Sequence, residues 1–453
     1  MSIPEIESLG IFIFVFGGVA FRNVLRLKQP IWLFFLIGAL ATVALGVLTP
    51  QQAYQSIDLQ VIVFLFSMFI IASALKMSGL LGEVGALISK RSSGWPSLVL
   101  FFLIFSVASA FLMNDPLAII GTPVGLYLSG IAGVEAFPFL LALAFAVTTG
   151  SEMTPMGNPQ NLLVAVESGM RAPMIEMTQW LLLPTVVNAA LALAVLRVAY
   201  KRSRPAGDPA IELLTAKDKR LRRVAIAGVA VTVIGLFVVN WLQLLGYNPP
   251  LDISGVALLG SAIVLGLGGK ERELLYDVDW GVLVMFAGLF VVTQGMWNSG
   301  LVRAIAGIIP PPTPNGSLAL IMLPSIVLSQ IISNVPMVAL YMPLMREAGF
   351  GPTSYRAWAT LAAGSTLAGN LTLMGAASNL IIVQEEEKHR GKSSMDFWRF
   401  AVYGLPLTAL NCLVLYAFLF LRDKDLNRRL VYRIIGPRSV ISRITSASAL
   451  SIS

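Results

Sequence analysis

Long apolar runs separated by short polar segments dominate the chain. A helix that crosses a bilayer needs about 20 mainly apolar residues. Ten runs have the length and composition that this requires. They lie at about 9–25, 31–48, 59–77, 137–168, 177–197, 224–245, 251–268, 280–298, 356–384 and 397–421. The pattern therefore predicts an all-α polytopic membrane protein.

Two further apolar blocks carry polar, helix-breaking motifs at their centres. The block at about 97–130 is centred on Asn114 and Asp115, and the block at about 316–347 is centred on Ser333 and Asn334. Each half of a block is shorter than a span, which favours a re-entrant hairpin with the motif at its tip. In lipid, a broken backbone is tolerated only where protein or a cavity surrounds it.

Two of the predicted spans, 137–168 and 356–384, are too long for one straight helix and are also interrupted. One interruption reads T-P-M-G-N-P-Q-N from Thr154, and the other reads T-L-M-G-A-A-S-N from Thr372. Proline and glycine in these positions interrupt helical hydrogen bonding. We therefore expect each span to be a broken helix made of two half-helices.

The motifs recur at a nearly constant spacing along the chain. Asn334 corresponds to Asn114, and Thr372 corresponds to Thr154 at almost the same offset. Each half then has about five spans and one hairpin, so the second half must be inverted in the membrane, with the broken helices meeting at the midplane. The expected organisation is a first repeat at 1–197, a basic cytoplasmic connecting loop at 198–223, a second repeat at 224–421 and a basic polar tail at 422–453.

Aspartates also recur before two matched spans, at nearly the spacing of the motifs. Asp58 and Asp279 stand at the starts of these spans. Aspartate is among the preferred N-cap residues, so we expect each to cap its helix.

Composition and charge agree with a membrane protein. Only 12% of the 453 residues are charged, compared with about 25% in soluble domains. The net charge of +8 does not indicate a nucleic-acid partner, because the basic residues cluster in loops between apolar runs. Basic loops are typical of the cytoplasmic side. An extracellular N-terminus places most of them inside, but ten spans place the basic tail outside, and this conflict stays open.

The candidate binding residues are the polar side chains at the tips and breaks. A helix N-terminus can hold an anion, whereas carbonyl and amide oxygens can hold a cation such as sodium. The amide and hydroxyl candidates are Asn114, Asn158, Asn161, Asn334, Asn370, Asn379, Ser333, Ser378, Thr154 and Thr372.

Two carboxylates, Asp115 and Glu152, lie inside the apolar segments. An intramembrane acid is a functional candidate by default, as a cation ligand or a proton carrier. Val335 and Asn370 occupy the matching positions in the second half, so the halves contribute unequally. Sodium is expected at Asn114, Asp115 and Asn334, with the substrate between the two tips.

Three transport functions fit these residues. The leading hypothesis is a secondary transporter of a small inorganic or organic anion, with sodium or protons as the coupling ion. The alternatives are a sodium/proton antiporter and an arsenite or antimonite efflux permease. No cofactor is expected, because the single cysteine and single histidine provide no metal cluster and no nucleophile motif indicates an enzyme.

The motifs resemble those of the ion transporter superfamily, which holds arsenite permeases, citrate and dicarboxylate symporters, NhaD-type antiporters and the melanosomal P protein. Asn114-Asp115 and the segment 369–379 look most like the arsenite-permease and P-protein branch. Ser333-Asn334 is similar to the start of the Ser-Asn-Thr tip motif of dicarboxylate symporters, with Val335 in place of threonine.

That resemblance implies a mechanism and further partners. The superfamily pairs a scaffold that often forms a homodimer with a transport part that moves like an elevator. By motif match, the residues bordering the substrate and sodium sites would be Asn114, Asp115, Asn161, Ser333, Asn334 and Asn379. We therefore expect a multi-pass protein of the bacterial plasma (inner) membrane.

Overall fold

The computed structural model describes residues 3–21, 29–205, 218–306 and 317–421. The first half of the chain is helical. Its helices are α1 (Ile3–Phe12), α2 (Gly18–Phe21), α3 (Ile31–Ala44), α4 (Pro50–Ser56), α5 (Leu59–Ser78), α6 (Leu80–Arg91), α7 (Trp95–Phe111), α8 (Asn114–Ala132), α9 (Phe137–Ser151), α10 (Pro159–Glu167) and α11 (Pro173–Lys201). A π-helical turn, Ile13–Gly17, joins α1 to α2.

The second half is also helical. Its helices are α12 (Lys219–Leu244), α13 (Ile253–Gly268), α14 (Glu271–Tyr276), α15 (Trp280–Asn298), α16 (Leu301–Ala306), α17 (Ala319–Ile332), α18 (Asn334–Glu347), α19 (Tyr355–Leu367), α20 (Ala377–Arg390) and α21 (Phe397–Leu421). Two 3₁₀ turns, Ala368–Asn370 and Leu373–Gly375, lie between α19 and α20.

Helices occupy all ten predicted spans within the described ranges, and both long spans are broken where the motifs predicted. Among the described residues, the helices long and apolar enough to cross a membrane alone are α5, α8, α11, α12, α15 and α21. The prediction that each half of a hairpin block is shorter than a span was wrong for α8, which has 19 residues. The helix continues through Pro123 and rises about 28 Å in all.

The segment between the halves is shorter than the range 198–223. Helix α11 continues to Lys201 and α12 begins at Lys219. The Asp218 carboxylate starts α12 by accepting from the backbone N–H of Leu221 at 2.9 Å. The rest of the connection, 206–217, and the tail, 422–453, lie outside the described residues.

The broken helices occupy the interior of the fold. Every residue of α9 is buried, and so is every residue of α19 from Ala357 to Leu367. A helix that is apolar on all sides belongs in a core. Helices such as α12 and α13 leave one apolar face outward, as lipid-facing helices do. The polar breaks are therefore surrounded by protein, as their backbone requires.

Candidate functional site

The first tip is tied directly to the first helix break. Helix α7 ends at Phe111 and α8 begins at Asn114. The backbone N–H of Asn114 donates to the carbonyl of Gly157 at 3.0 Å. The Thr154 hydroxyl donates to the carbonyl of Ala110 at the end of α7. The tip and the break therefore form one polar unit.

Asn161 satisfies the open carbonyl end of α9. Its Nδ2 donates to the carbonyls of Ser151 and Glu152 at 3.0 and 3.1 Å, and to that of Thr154 at 3.2 Å. Asn158 starts α10 by accepting from the Asn161 N–H at 2.9 Å. Helix ends leave carbonyl and N–H groups without intrahelical partners. Here the side chain of Asn161 donates to the free carbonyls, and that of Asn158 accepts from a free N–H.

The second break repeats these contacts. The Asn379 Nδ2 donates to the carbonyls of Gly369 and Thr372 at 2.7 and 3.2 Å. The Thr372 hydroxyl donates to Gln330 Oε1 at 2.7 Å. The Asn334 side-chain amide, in the orientation that satisfies its neighbours, donates to the Gly375 carbonyl at 3.0 Å. These contacts join the same pairs of positions as in the first half, although the Asn334 and Gln330 contacts use side-chain atoms where Asn114 and Ala110 use backbone atoms.

Close packing explains a glycine in each break. A Cβ at Gly157 would lie 2.5 Å from the Cα of Ser151, and one at Gly375 would lie 2.1 Å from the carbonyl oxygen of Ala368. Real Cβ atoms do not approach backbone so closely. The matched glycines are therefore required by the fold of the breaks.

Side chains also join the two breaks to each other. The Thr366 hydroxyl lies 3.1 Å from Asn161 Oδ1 and accepts from Asn158 Nδ2 at 3.1 Å. The Asn370 Nδ2 donates to the Thr149 hydroxyl at 3.3 Å. The halves thus meet through a buried hydrogen-bond network.

Both tips line one cavity of about 390 Å³. The starts of α3 and α15 complete its lining. The lining residues are Pro30, Ile31, Trp32, Asn114, Asp115, Pro159, Gln160, Asp279, Gly281, Val282, Met285, Ser333, Asn334, Val335, Ala376 and Ala377.

The cavity is acidic. Its lining includes the carboxylates of Asp115 and Asp279 but no lysine, arginine or histidine. Two ionised carboxylates that line one cavity repel each other. The Oδ1 atom of Asn114 is buried and accepts no hydrogen bond within the described structure. A cation bound in the cavity would reduce the repulsion between the two carboxylates, and the Asn114 Oδ1 atom could serve as one of its ligands.

The structure brings some predicted residues together and separates others. Asn114, Asp115, Ser333 and Asn334 all line the cavity. The other candidates lie behind its wall, within the breaks or against neighbouring helices. They are Glu152, Thr154, Asn158, Asn161, Asn370, Thr372, Ser378 and Asn379.

Sequence reasoning missed Asp279 as a cavity residue. The N-cap predictions are confirmed, because Asp58 accepts from the N–H groups of Gln60 and Val61 and Asp279 from that of Val282. The packing of α15 also brings Asp279 to the cavity, beside Trp32. The recurrence of Asp58 and Asp279 in the two halves could have pointed to a site residue, but helix capping was enough to explain both aspartates.

Buried oxygen atoms in and around the second break have no hydrogen-bond partner, and one of them belongs to α9 of the first half. They are Thr148 Oγ1, Asn370 Oδ1, Ser378 Oγ and Asn379 Oδ1. Two of these side chains adjoin Gly369. The Thr148 hydroxyl is 3.2 Å from the position of a Cβ on Gly369, and Asn379 binds its carbonyl. Unsatisfied buried acceptors of this kind call for a ligand, water or ion.

Comparison with known proteins gives the family. The citrate transporter family, CitMHS, matches residues 19–368. The chain belongs to this family of the ion transporter superfamily. This is a family of transporters and not of enzymes, and the predicted resemblance is confirmed.

Relatives and solved structures agree with this. The 46 kDa membrane protein of Mycobacterium leprae is 29% identical over 407 residues, covering 85% of this chain and 92% of the relative. The uncharacterized transporter Rv2684 of Mycobacterium tuberculosis is 34% identical over 185 residues, so the match spans 43% of that relative and 39% of this chain.

The fold is that of a solved transporter. The crystal structure of the YdaH transporter of Alcanivorax borkumensis aligns with a TM-score of 0.55 at 15% identity, over 92% of this chain and 98% of the other. The chain is thus an all-helical, integral multi-pass membrane protein. Several of its relatives are bacterial.

Proposed function

We propose that the protein is a secondary active transporter that carries a small anion and couples its movement to a sodium or proton gradient. The supporting observation is a single cavity to which both halves contribute. It offers carboxylate, amide and hydroxyl groups and no basic side chain among its lining residues. An anion can enter such a cavity only with compensating cations, so each ligand favours the binding of the other.

Sodium binds beside the first tip in this proposal. Asp115 supplies the charge, and Asn114 and Asn334 supply amide oxygens. Sodium, like other hard cations, prefers oxygen ligands of these kinds. The open Oδ1 of Asn114 supports this placement. The anion then lies between the two tips, near the start of α18, whose partial positive charge favours it.

The proposed transporter is built from two halves of inverted topology. Two inverted repeats, each with a re-entrant hairpin, explain why contacts such as Asn161–Thr154 and Asn379–Thr372 recur at the motif spacing. The tips and breaks move together as an elevator against a dimeric scaffold in the bacterial plasma membrane. These features follow the superfamily pattern.

Uptake by reconstituted protein tests the proposal. Purified protein in proteoliposomes is given radiolabelled citrate, with an inward sodium gradient, an inward proton gradient, or neither. We expect uptake that needs one gradient and stops when an ionophore dissipates it. Uptake indifferent to both gradients would exclude coupled transport.

A second candidate is efflux of an uncharged oxyacid such as arsenite. The absence of basic residues from the cavity lining favours it, because amides and carboxylates can hydrogen-bond hydroxyl groups without binding a net charge. One relative, 31% identical over 180 residues, is the silicon efflux transporter LSI3 of rice. Expression in an arsenite-sensitive strain tests this, and unchanged tolerance would count against it.

Sodium/proton antiport is a third candidate. Two mutually repelling carboxylates in one cavity favour it, because they can exchange sodium for protons. Proton flux reported by a dye after sodium addition, with no organic or oxyacid substrate present, would support antiport. Flux that required citrate would exclude it.

A further inference from the structure

A second buried polar cluster surrounds Glu152, away from the cavity. Glu152 directly follows α9 and its side chain is fully buried. The Asn188 Nδ2, on α11, lies 3.3 and 3.1 Å from its two carboxyl oxygens. The Thr185 hydroxyl, one turn earlier on α11, faces the same carboxyl. None of these side chains lines the cavity.

The α11 side of this cluster recurs in α21. Pro184 is followed by Thr185 and Asn188, and Pro406 is followed by Thr408 and Asn411. The two Thr-x-x-Asn pairs are separated by nearly the spacing of the motifs, so they extend the internal repeat. Helices α11 and α21 pack against each other, and all four of these threonine and asparagine side chains are buried.

Glu152 lies near both helices. It is bound by Asn188 of α11, and α11 packs against α21, which carries Thr408 and Asn411. The cluster therefore sits where the last helices of the two halves meet. Several of its polar atoms accept no hydrogen bond within the described structure. They are Thr185 Oγ1, Asn188 Oδ1, Thr408 Oγ1 and Asn411 Oδ1.

No charged side chain among the described residues offsets a negative charge on Glu152. The groups that act on the carboxyl are Asn188 and Thr185 of α11. Helix α9 and the second break contain no charged residue, and the Cys412 thiol is the titratable group that α21 brings near it. An unpaired buried carboxylate costs several kcal/mol. A protonated carboxyl costs less and can donate to one of the open acceptors.

We propose that Glu152 is a proton-binding site, separate from the cavity, beside Thr185 and Asn188 of α11, where α11 packs against α21. This rests on the proposed coupled transport for its role, although proton binding itself does not depend on the substrate. A short path links it to the first tip. Asn161 binds the Glu152 carbonyl at 3.1 Å, and Gly157 of the same break binds Asn114 at 3.0 Å.

Infrared spectroscopy of the full-length protein in lipid tests proton binding directly. A pH titration should show a carboxylic acid C=O band that disappears as the pH rises. The band should be absent in Glu152→Gln and present in the matched control Asp115→Asn. In Asn188→Ala it should remain but shift in frequency, because the carboxyl loses the amide that hydrogen-bonds it.

Different results would contradict the proton site and the proposed transport function. A spectrum unchanged in Glu152→Gln would overturn the proposal, as would loss of the band on adding sodium at constant pH, which indicates a sodium site instead. Thermal melting identifies any variant that fails to fold, and the Asn188→Ala shift then carries the test. An intact Glu152 band in protein that shows no gradient-driven uptake would reject the proposed function while keeping the proton site.

Discussion

The two helix breaks share a set of contacts but differ in how completely their polar atoms are paired. In the first, Asn161 binds three carbonyls and its own oxygen meets the Thr366 hydroxyl. In the second, Asn379 binds two carbonyls, and its oxygen and the Thr148 hydroxyl both have no partner. Thr148 matches Thr366 at the same spacing that relates Thr154 to Thr372.

This difference separates a structural role from a binding role. A fully paired network holds the first break in place, whereas open buried acceptors at the second leave positions for a ligand. The first tip and break also carry the carboxylates Asp115 and Glu152, where the second tip and break have Val335 and Asn370. The other cavity carboxylate, Asp279, comes from the start of α15 and not from a tip or a break. The two breaks therefore differ in their chemistry, because a carboxylate stands at the first and unpaired oxygen atoms surround the second.

The largest expected effect is that of Asp115→Asn on transport. Removing the charge beside the first tip should lower cation-driven uptake by roughly tenfold or more, or about 1.4 kcal/mol. The initial uptake rate under a gradient measures this. Asp58→Asn is the control, because Asp58 caps α5 and asparagine caps equally well. Unchanged cation dependence in Asp115→Asn would remove Asp115 from the coupling site.

Among the effects on stability, the largest is expected for Asn161→Ala. Three buried carbonyls lose their donor, and we expect a cost of about 2–3 kcal/mol. Asn379→Ala should lower the free energy of unfolding by less. It leaves only two carbonyls without a donor, and it also removes the unpaired Asn379 Oδ1 atom. Unfolding curves in mixed micelles measure both. Equal losses would show that the two breaks are equivalent.

A matched pair of threonine variants sharpens the comparison. Thr366→Val should destabilise the protein by about 1 kcal/mol, because Asn158 and Asn161 lose a partner. Thr148→Val should be nearly neutral or stabilising without ligand, since its hydroxyl has no partner. Thermal melts with and without sodium are the measurement. If Thr148→Val lost more stability than Thr366→Val without sodium, the Thr148 hydroxyl would have the structural role that is assigned here to Thr366.

The smallest effect concerns the backbone at the second tip. Ser333 has φ of 72°, the one positive value outside glycine in the described residues, whereas its counterpart Met113 has φ of −60°. Ser333→Gly should therefore stabilise the protein by up to about 1 kcal/mol. Met113→Gly should destabilise it by a similar amount. Thermal melts of the two variants measure these changes. A loss of stability in both variants would show that the backbone φ at these positions does not determine the effect of glycine.

Much of the fold could be predicted from the sequence, because each span and each break has a local cause. Apolar length indicated the helices, and Pro155, Gly157 and Pro159 indicated the first break. The position of Asp279 could not be predicted, since its approach to Asp115 depends on how α15 packs. The Thr185–Asn188 repeat was visible in the sequence, but only packing joins it to Glu152.

The central claim is that both halves contribute to one binding cavity, and cysteine labelling tests it most directly. In a Cys412→Ala background, Gln160→Cys and Ala377→Cys place one thiol from each half on the cavity wall. Met374→Cys is the control, since Met374 is 42% exposed and does not line the cavity. In variants that still take up citrate, citrate with the coupling cation should slow labelling at residues 160 and 377 but not at 374. Protection of only one of the two cavity positions, or of neither, would contradict a shared site.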